Sequence, residues 1–368
     1  MHSPFHHQAV AGALLLTLLC SACGGGGGAS PSIQPATPAA PVVTPPVVTP
    51  PVVTPPVVTP PVPAPAISLY AAAPAGAQWT GLAIDPSGNF LVVDRSTSSV
   101  MKITPAGVTS VLAGNGQENN YVNVDGVGTA AVLRDLEAIV VDGAGNAYVT
   151  NNDRIRKITP AGVVTTFYVY PVGPNNLPKN ASAMWPVGLG IDSKGTLVAA
   201  TYFSARRIAP DGKVTMISGD EVIDGYRGSV FAPPIGVTVD VNGNAYIASF
   251  ATITRADPAG ATSVLTTTAL PGDIAGGNSC GCYGPRLAGA AIDSSGRLYV
   301  IDASNGTLVK LSPDGTLATL SLSGTVNGQP LALGALDNAT GRGLVFGPGN
   351  ALYTTTKAGI IKIVLPSP

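Results

Sequence analysis

The chain repeats itself. Five stretches share one pattern: GLAIDPSGNFLVVD (81–94), AIVVDGAGNAYVTN (138–151), GLGIDSKGTLVAAT (188–201), GVTVDVNGNAYIAS (236–249) and GAAIDSSGRLYVID (289–302). GLVFGPGNALYTTT (343–356) is a sixth copy, one residue shorter and without the Asp. Asp85, Asp142, Asp192, Asp240 and Asp293 lie 57, 50, 48 and 53 residues apart. Self-similarity at that period governs the fold more than any single motif does.

Each copy continues into further runs, such as SVMKITPAGVTSVLAG (99–114) and RIRKITPAGVVTTFYV (154–169), so each reads as four short strands, a to d. The a–b link is Asp-x-x-Gly-Asn, in which Asp bonds backbone N–H groups and Gly takes a positive φ. The c–d link is Pro-Ala-Gly or Pro-Asp-Gly, with Pro at the second turn position. The repeated Asp and Gly residues are therefore structural. Six antiparallel units of four strands predict an all-β fold, a six-bladed β-propeller. The run DGVGTAAVLRDLEAIVVDGAGNAYVTNNDRIRKITPAGVVTTF (125–167) resembles the bacterial NHL repeat, and all of 81–366 follows that pattern with varying fidelity. The resemblance implies a scaffold that binds ligands and, less often, catalyses.

The sixth copy ends after strand c (GIIKIVLP, 359–366), while ISLYAA (67–72) is a spare apolar strand ahead of the first blade. This strand is expected to complete blade 6 and so close the ring, covering an edge otherwise left open. An open-edged or dimerising array is the alternative.

Ahead of the repeats, residues 8–19 are an apolar stretch of 12, the length of a secretory signal core and too short to span a membrane. Ser21-Ala22-Cys23 resembles the end of a bacterial lipoprotein signal, implying cleavage after residue 22, lipidation of Cys23 and, by that resemblance, an outer-membrane location. An ordinary signal peptide is the other reading. Residues 23–65 form a Gly- and Pro-rich tether in which PVVTP runs four times from Pro41 to Pro60. Proline at this density gives an extended spacer, and residues 41–65 reach on the order of 75 Å at about 3.1 Å per residue. The propeller domain is then 66–368.

That cleavage has a chemical consequence. His2, His6 and His7 are the only histidines and all precede Cys23. Triads built on His and His-ligated zinc are thereby excluded from the mature chain. The 19 basic and 20 acidic residues nearly balance, which argues against nucleic acid as a partner and leaves the lipid anchor as the only membrane contact.

Strand alternation puts the a–b and c–d turns on one face and the b–c and d–a connections on the other. The d–a connections are long (115–137, 170–187, 220–235, 268–288 and 324–342), so the second face is the candidate binding surface. The b strands end there in Asp94, Asn151, Thr201, Ser249, Asp302 and Thr355, and Trp79, Glu137, Trp185, Pro234, Arg286 and Arg342 lie just before the a strands. Oxygens of Asp94, Glu137, Asn151 and Asp302 suit a hard cation such as Ca²⁺, and this set resembles that of six-bladed lactonases of the gluconolactonase type. The plainer reading makes Asp94, Asn151 and Asp302 caps of the b–c turns, with no metal or other cofactor.

Trp79, Trp185, Tyr202, Phe203, Phe231 and Phe250 are the aromatics at or near this face, either a platform for a ligand or packing between blades. Arg154, Arg156 and Lys157 read as a solvated outer face. Cys280 and Cys282, in NSCGCYGP, suggest a loop-pinning disulfide in an exported protein.

The expected function is that of an envelope-anchored binding module. Its long-loop face meets a protein, peptide or glycan through Trp79, Asp94, Glu137, Asn151, Trp185, Tyr202, Asp302 and Arg342. The rival is a Ca²⁺-dependent lactonase-like hydrolase.

Overall fold

Short β-branched strands joined by tight turns pair in chain order to form each blade. The computed structural model describes residues 65–116, 123–170, 186–201, 204–219, 236–248, 252–265, 287–302, 307–326, 329–330 and 343–366, all within one compact unit, Pro60–Pro368. The expected signal, Cys23, the tether up to residue 64, Cys280 and Cys282 lie outside the described residues.

Blade 1 consists of Trp79–Ile84, Phe90–Asp94, Ser99–Ile103 and Thr109–Ala113, each antiparallel to the next. Blade 2 repeats this with Leu136–Val141, Ala147–Asn151, Arg154–Ile158 and Val163–Val169. Blade 3 runs Gly188–Ile191, Leu197–Ala200, Ser204–Ile208 and Val214–Gly219. Blade 4 runs Gly236–Val239, Ala245–Ala248, Ile253–Ala256 and Thr262–Val264. Blade 5 runs Leu287–Ile292, Leu298–Asp302, Thr307–Leu311 and Leu317–Ser321. Blade 6 contributes Leu344–Gly347, Ala351–Thr356 and Gly359–Val364.

The fourth strand of blade 6 comes from the other end of the domain. Ala66–Ala72 lies antiparallel to Gly359–Val364, from Ala66 opposite Val364 to Ala72 opposite Gly359. The ring therefore closes as the sequence predicts. Tyr70 brings an aromatic ring into the seam, with centroids 4.7 Å from Phe90 and 5.3 Å from Tyr353.

Turn chemistry follows the repeated Asp. Asp85 Oδ1 accepts the N–H groups of Ser87 and Asn89 at 2.9 Å each, and Oδ2 accepts Asn89 Nδ2 at 2.7 Å. Asp142, Asp192, Asp240 and Asp293 hold their turns in the same way. The Gly of the motif takes φ +79° at Gly88. Where the Asp is lost, Pro348–Asn350 makes a short 3-10 turn instead.

Six buried apolar layers lie between blades rather than beneath a single sheet. Phe90 and Val92 pack toward blade 6, whereas Leu91 and Val93, one residue away, pack toward blade 2. Both faces of a blade are covered, so its second strand is buried along nearly its whole length. The inner strands approach closely: a methyl group on Gly81 would meet the Glu137 carbonyl oxygen at 2.8 Å. The Gly that opens GLAID-like strands thus serves inter-blade contact.

Two segments assigned by sequence to d–a loops contain strands. Gly126–Val127 adds to the edge of Val163–Val169. Ser323–Val326 runs parallel to the closing strand, with Ala66 opposite Ser323, and pairs with Gln329–Pro330. Both cover an outer blade edge, which offers unpaired backbone groups to any neighbouring segment.

Candidate functional site

Strand register fixes the candidate face. Trp79 lies opposite Asp94, Leu136 opposite Asn151, Leu287 opposite Asp302 and Leu344 opposite Thr354, so inner strands begin where second strands end. The long d–a connections join strand ends on this face, the shortest of the five spanning 220–235, whereas the closing strand reaches blade 1 through residues 73–78 alone.

The oxygen donors on this face are engaged. Asp94 is buried, and its Oδ1 accepts Gln78 N at 3.1 Å, Ser96 N at 2.9 Å and Ser96 Oγ at 2.6 Å. Asn151 is fully buried. Its Nδ2 donates to Asn123 Oδ1 and to the Arg134 carbonyl, both at 2.8 Å. Glu137 Oε1 lies 3.3 Å from Arg95 Nη1, an ion pair from the b–c turn of blade 1 to the inner strand of blade 2. Thr201 Oγ1 accepts the Ser204 N–H at 3.0 Å across its own b–c turn. Asp302 is buried at the end of its strand. No three His, Cys, Asp or Glu side chains converge as a metal cluster among the described residues, so Asp94, Glu137 and Asp302 are not brought together.

Trp79 is 1 % exposed and packs with Leu82, Phe90 and Tyr353 between blades 6 and 1, so its indole offers no platform to solvent. Trp185, Tyr202 and Arg342 lie outside the described residues, as do Ser249, Pro234, Arg286, Phe203, Phe231 and Phe250. A cavity of about 270 Å³ follows the inner strands, lined by residues such as Leu82, Ile139, Leu189, Val237, Ala290 and Leu344. Its walls are apolar side chains and backbone, with Thr238 the only side chain bearing a polar atom among them.

Of the basic cluster of blade 2, Arg156 is not solvated, whereas Arg154 and Lys157 are half-buried. Arg156 is fully buried, and its Nη2 pairs with Asp125 Oδ1. Arg154 pairs with Asp153 at 3.1 Å, and the Lys157 ammonium lies 5.8 Å from the Tyr148 ring. Alternation along a strand predicts a solvated face only when one side of the sheet is open, and here the next blade covers each side. Desolvation pulls the Arg156 guanidinium down, while Asp125 pulls it back up.

Sequence reasoning also missed two further arginines in blade 3. Arg207 is buried and its Nη2 donates to the carbonyls of Ala256 and Asp257, both at 3.1 Å, stapling blade 3 to blade 4. Arg206, beside it, turns the other way. It is 3 % exposed and donates from Nη1 to Tyr168 OH at 3.3 Å and from Nη2 to Ser204 Oγ at 3.1 Å. Its guanidinium carbon lies 4.6 Å from the Tyr170 ring centroid. The signal for these residues was the strand-c alignment of RIRKI with SARRI, which sets Arg156 and Arg206 at one repeat position.

No family model matches the chain, and no curated protein matches it. Solved structures do. A streptogramin B lyase structure is 12% identical, with a TM-score of 0.53, over 81% of this chain and 97% of that one. A gluconolactonase from Xanthomonas campestris is 15% identical, with a TM-score of 0.54, over 83% and 95%. A catalytically inactive virginiamycin B lyase from Staphylococcus aureus with quinupristin is 13% identical, with a TM-score of 0.51, over 81% and 99%. At these identities the likeness is one of fold: the chain is similar to these proteins as a six-bladed β-propeller.

Proposed function

We propose that this protein is a binding propeller of the NHL type, which presents its d–a and b–c face to a protein, peptide or glycan. The observation that carries this reading is the state of the face itself. Asp94 and Thr201 hold their b–c turns, Asn151 holds the connection entering blade 2 and Glu137 holds Arg95, so the frame from which the long connections start is fixed. A rigid scaffold carrying long loops is the arrangement that binding surfaces use. Trp185, Tyr202 and Arg342 are assigned to that surface. Cys23 is assigned as the lipidated N-terminus of an exported, outer-membrane-anchored form, and Cys23→Ser should release the protein from the membrane fraction of a bacterial host. Cys280 and Cys282 are assigned as a disulfide.

The hydrolase reading draws on the fold likeness to a gluconolactonase and on the oxygens of Asp94, Glu137, Asn151 and Asp302. The existing partners of Asp94, Glu137 and Asn151 weigh against it, because coordination would require those contacts to break.

Glycan and peptide arrays probed with the full chain test the binding reading. Trp185→Ala or Tyr202→Ala should cut retention of a bound array member about 10-fold, as truncation of an aromatic anchor does. Retention equal to that of the native chain would contradict the reading.

A further inference from the structure

The two equivalent arginines of strand c differ in one respect. Arg156 meets the carboxylate of Asp125, which lies in the connection entering blade 2. Arg206 meets hydroxyls and a ring, and no carboxylate pairs with it among the described residues. In sequence, residues 154–191, which include the connection entering blade 3, contain no Asp or Glu, and the acids that follow blade 3's outer strand, Asp220, Glu221 and Asp224, lie outside the described residues. Arg206 Nε and the Tyr170 hydroxyl are both buried with no hydrogen-bond partner among the described residues. A buried guanidinium with no counter-charge among the described residues is costly, and stacking on Tyr170 offsets only part of that cost.

The place also belongs to the candidate face. Ser204 follows the b–c turn of blade 3, and Tyr168 and Tyr170 flank Val169, the last residue of the outer strand of blade 2. We infer that Arg206, with the hydroxyls of Tyr168, Tyr170 and Ser204, is a binding site for the carboxylate of a small organic acid, which takes the place that Asp125 takes beside Arg156. Tyr168 is the half-buried member of the group, and the ligand reaches the guanidinium by displacing its hydroxyl. The planar guanidinium fork matches a carboxylate, with which it forms charge-assisted hydrogen bonds. One positive charge and neutral hydroxyls balance one negative charge, which favours a carboxylate over a phosphate dianion. Burial holds the Tyr170 phenol well above its ordinary value, so it remains a neutral donor.

This site deepens the binding reading and rests on it. The test titrates the full chain with acetate, benzoate and glucuronate by calorimetry. Acetamide, benzamide and glucose serve as neutral counterparts, and inorganic phosphate as the competing anion. At least one acid should bind saturably at up to about 10 mM, about 10-fold more tightly than its neutral counterpart and than phosphate. Arg206→Met should weaken that acid about 10-fold, and Arg206→Lys should recover part of the loss. Methionine suits the position, since Met101 occupies it in blade 1. Should Arg206→Met fail to fold by circular dichroism, Tyr170→Phe keeps the test, with about 5-fold weakening expected. No saturable acid, tighter phosphate, or equal affinity in the tested variant would each overturn the site. Unaltered array retention in Arg206→Met alongside any of these results would leave the wider loop-face reading standing.

Discussion

The Thr355 hydroxyl donates a 2.6 Å hydrogen bond to the Thr80 carbonyl, joining residues 275 positions apart across the seam between the last blade and the first. Thr355 is the penultimate residue of a second strand and Thr80 the second residue of an inner one, so the contact sits at the rim of the candidate face. Beneath it Phe90 and Tyr353, with ring centroids 4.9 Å apart, pack with Tyr70 of the closing strand. Removing these contacts should loosen the whole ring, because a propeller without closure has two exposed edges.

Tyr70→Ala is expected to lower stability by about 2 kcal/mol, the half-buried ring setting it below a full core truncation. Thr355→Val should cost about 1 kcal/mol by leaving the Thr80 carbonyl without this donor. Urea unfolding measures both. Wild-type stability in Tyr70→Ala would mean that the closing strand does not seal the ring.

Much of this architecture was legible because the repeat couples local chemistry to global form. Asp142, Gly145 and Asn146 specify a turn by themselves, and the spare strand 67–72 matches the strand missing after Val364. Arg156 and Trp79 were harder to read. Strand alternation gives only which side a residue points to, and in a propeller both sides are interior. A charged residue on such a strand enters an inter-blade layer, and its partner, Asp125, lies 31 residues away in a loop without a repeat signature. The Ser323–Val326 strand was equally hidden, because pairing to an edge asks little of the side chains.

The Arg156–Asp125 pair separates burial from attraction. Arg156 is completely buried, whereas Asp125 is 55% exposed. Asp125→Asn should cost about 2 kcal/mol, since it leaves a buried cation without its carboxylate, the exposed side of the pair reducing the loss. Arg156→Met removes the buried charge itself and should cost less than about 1 kcal/mol. Denaturant midpoints of the two variants check the order, and the reverse order would contradict it.

Alkaline pH should unfold the ring through its tyrosines. Burial, and then the charge of Asp142, push the Tyr148 phenol from 10.0 up to about 12. Burial likewise raises Tyr246, Tyr299 and Tyr353. A folded-state value above the unfolded one means that the folded state holds the proton more tightly. This stabilisation is complete below pH 10 and is lost as the pH rises toward 12. Stability measured in urea should fall across that window, less steeply in Tyr148→Phe. A flat profile, or equal slopes, would contradict the assignment.

The central claim is that the rim oxygens hold the frame while the loops above it bind. A thermal melt of the full chain after chelation, repeated with millimolar Ca²⁺, tests it most directly. A cation bound only by the folded state adds about 2.7 kcal/mol at one hundred times its dissociation constant. Superimposed melting curves are predicted, because Asp94, Asn151 and Glu137 already have partners. A Ca²⁺-dependent rise that disappears in Glu137→Gln would contradict the claim and turn the rim into a metal centre.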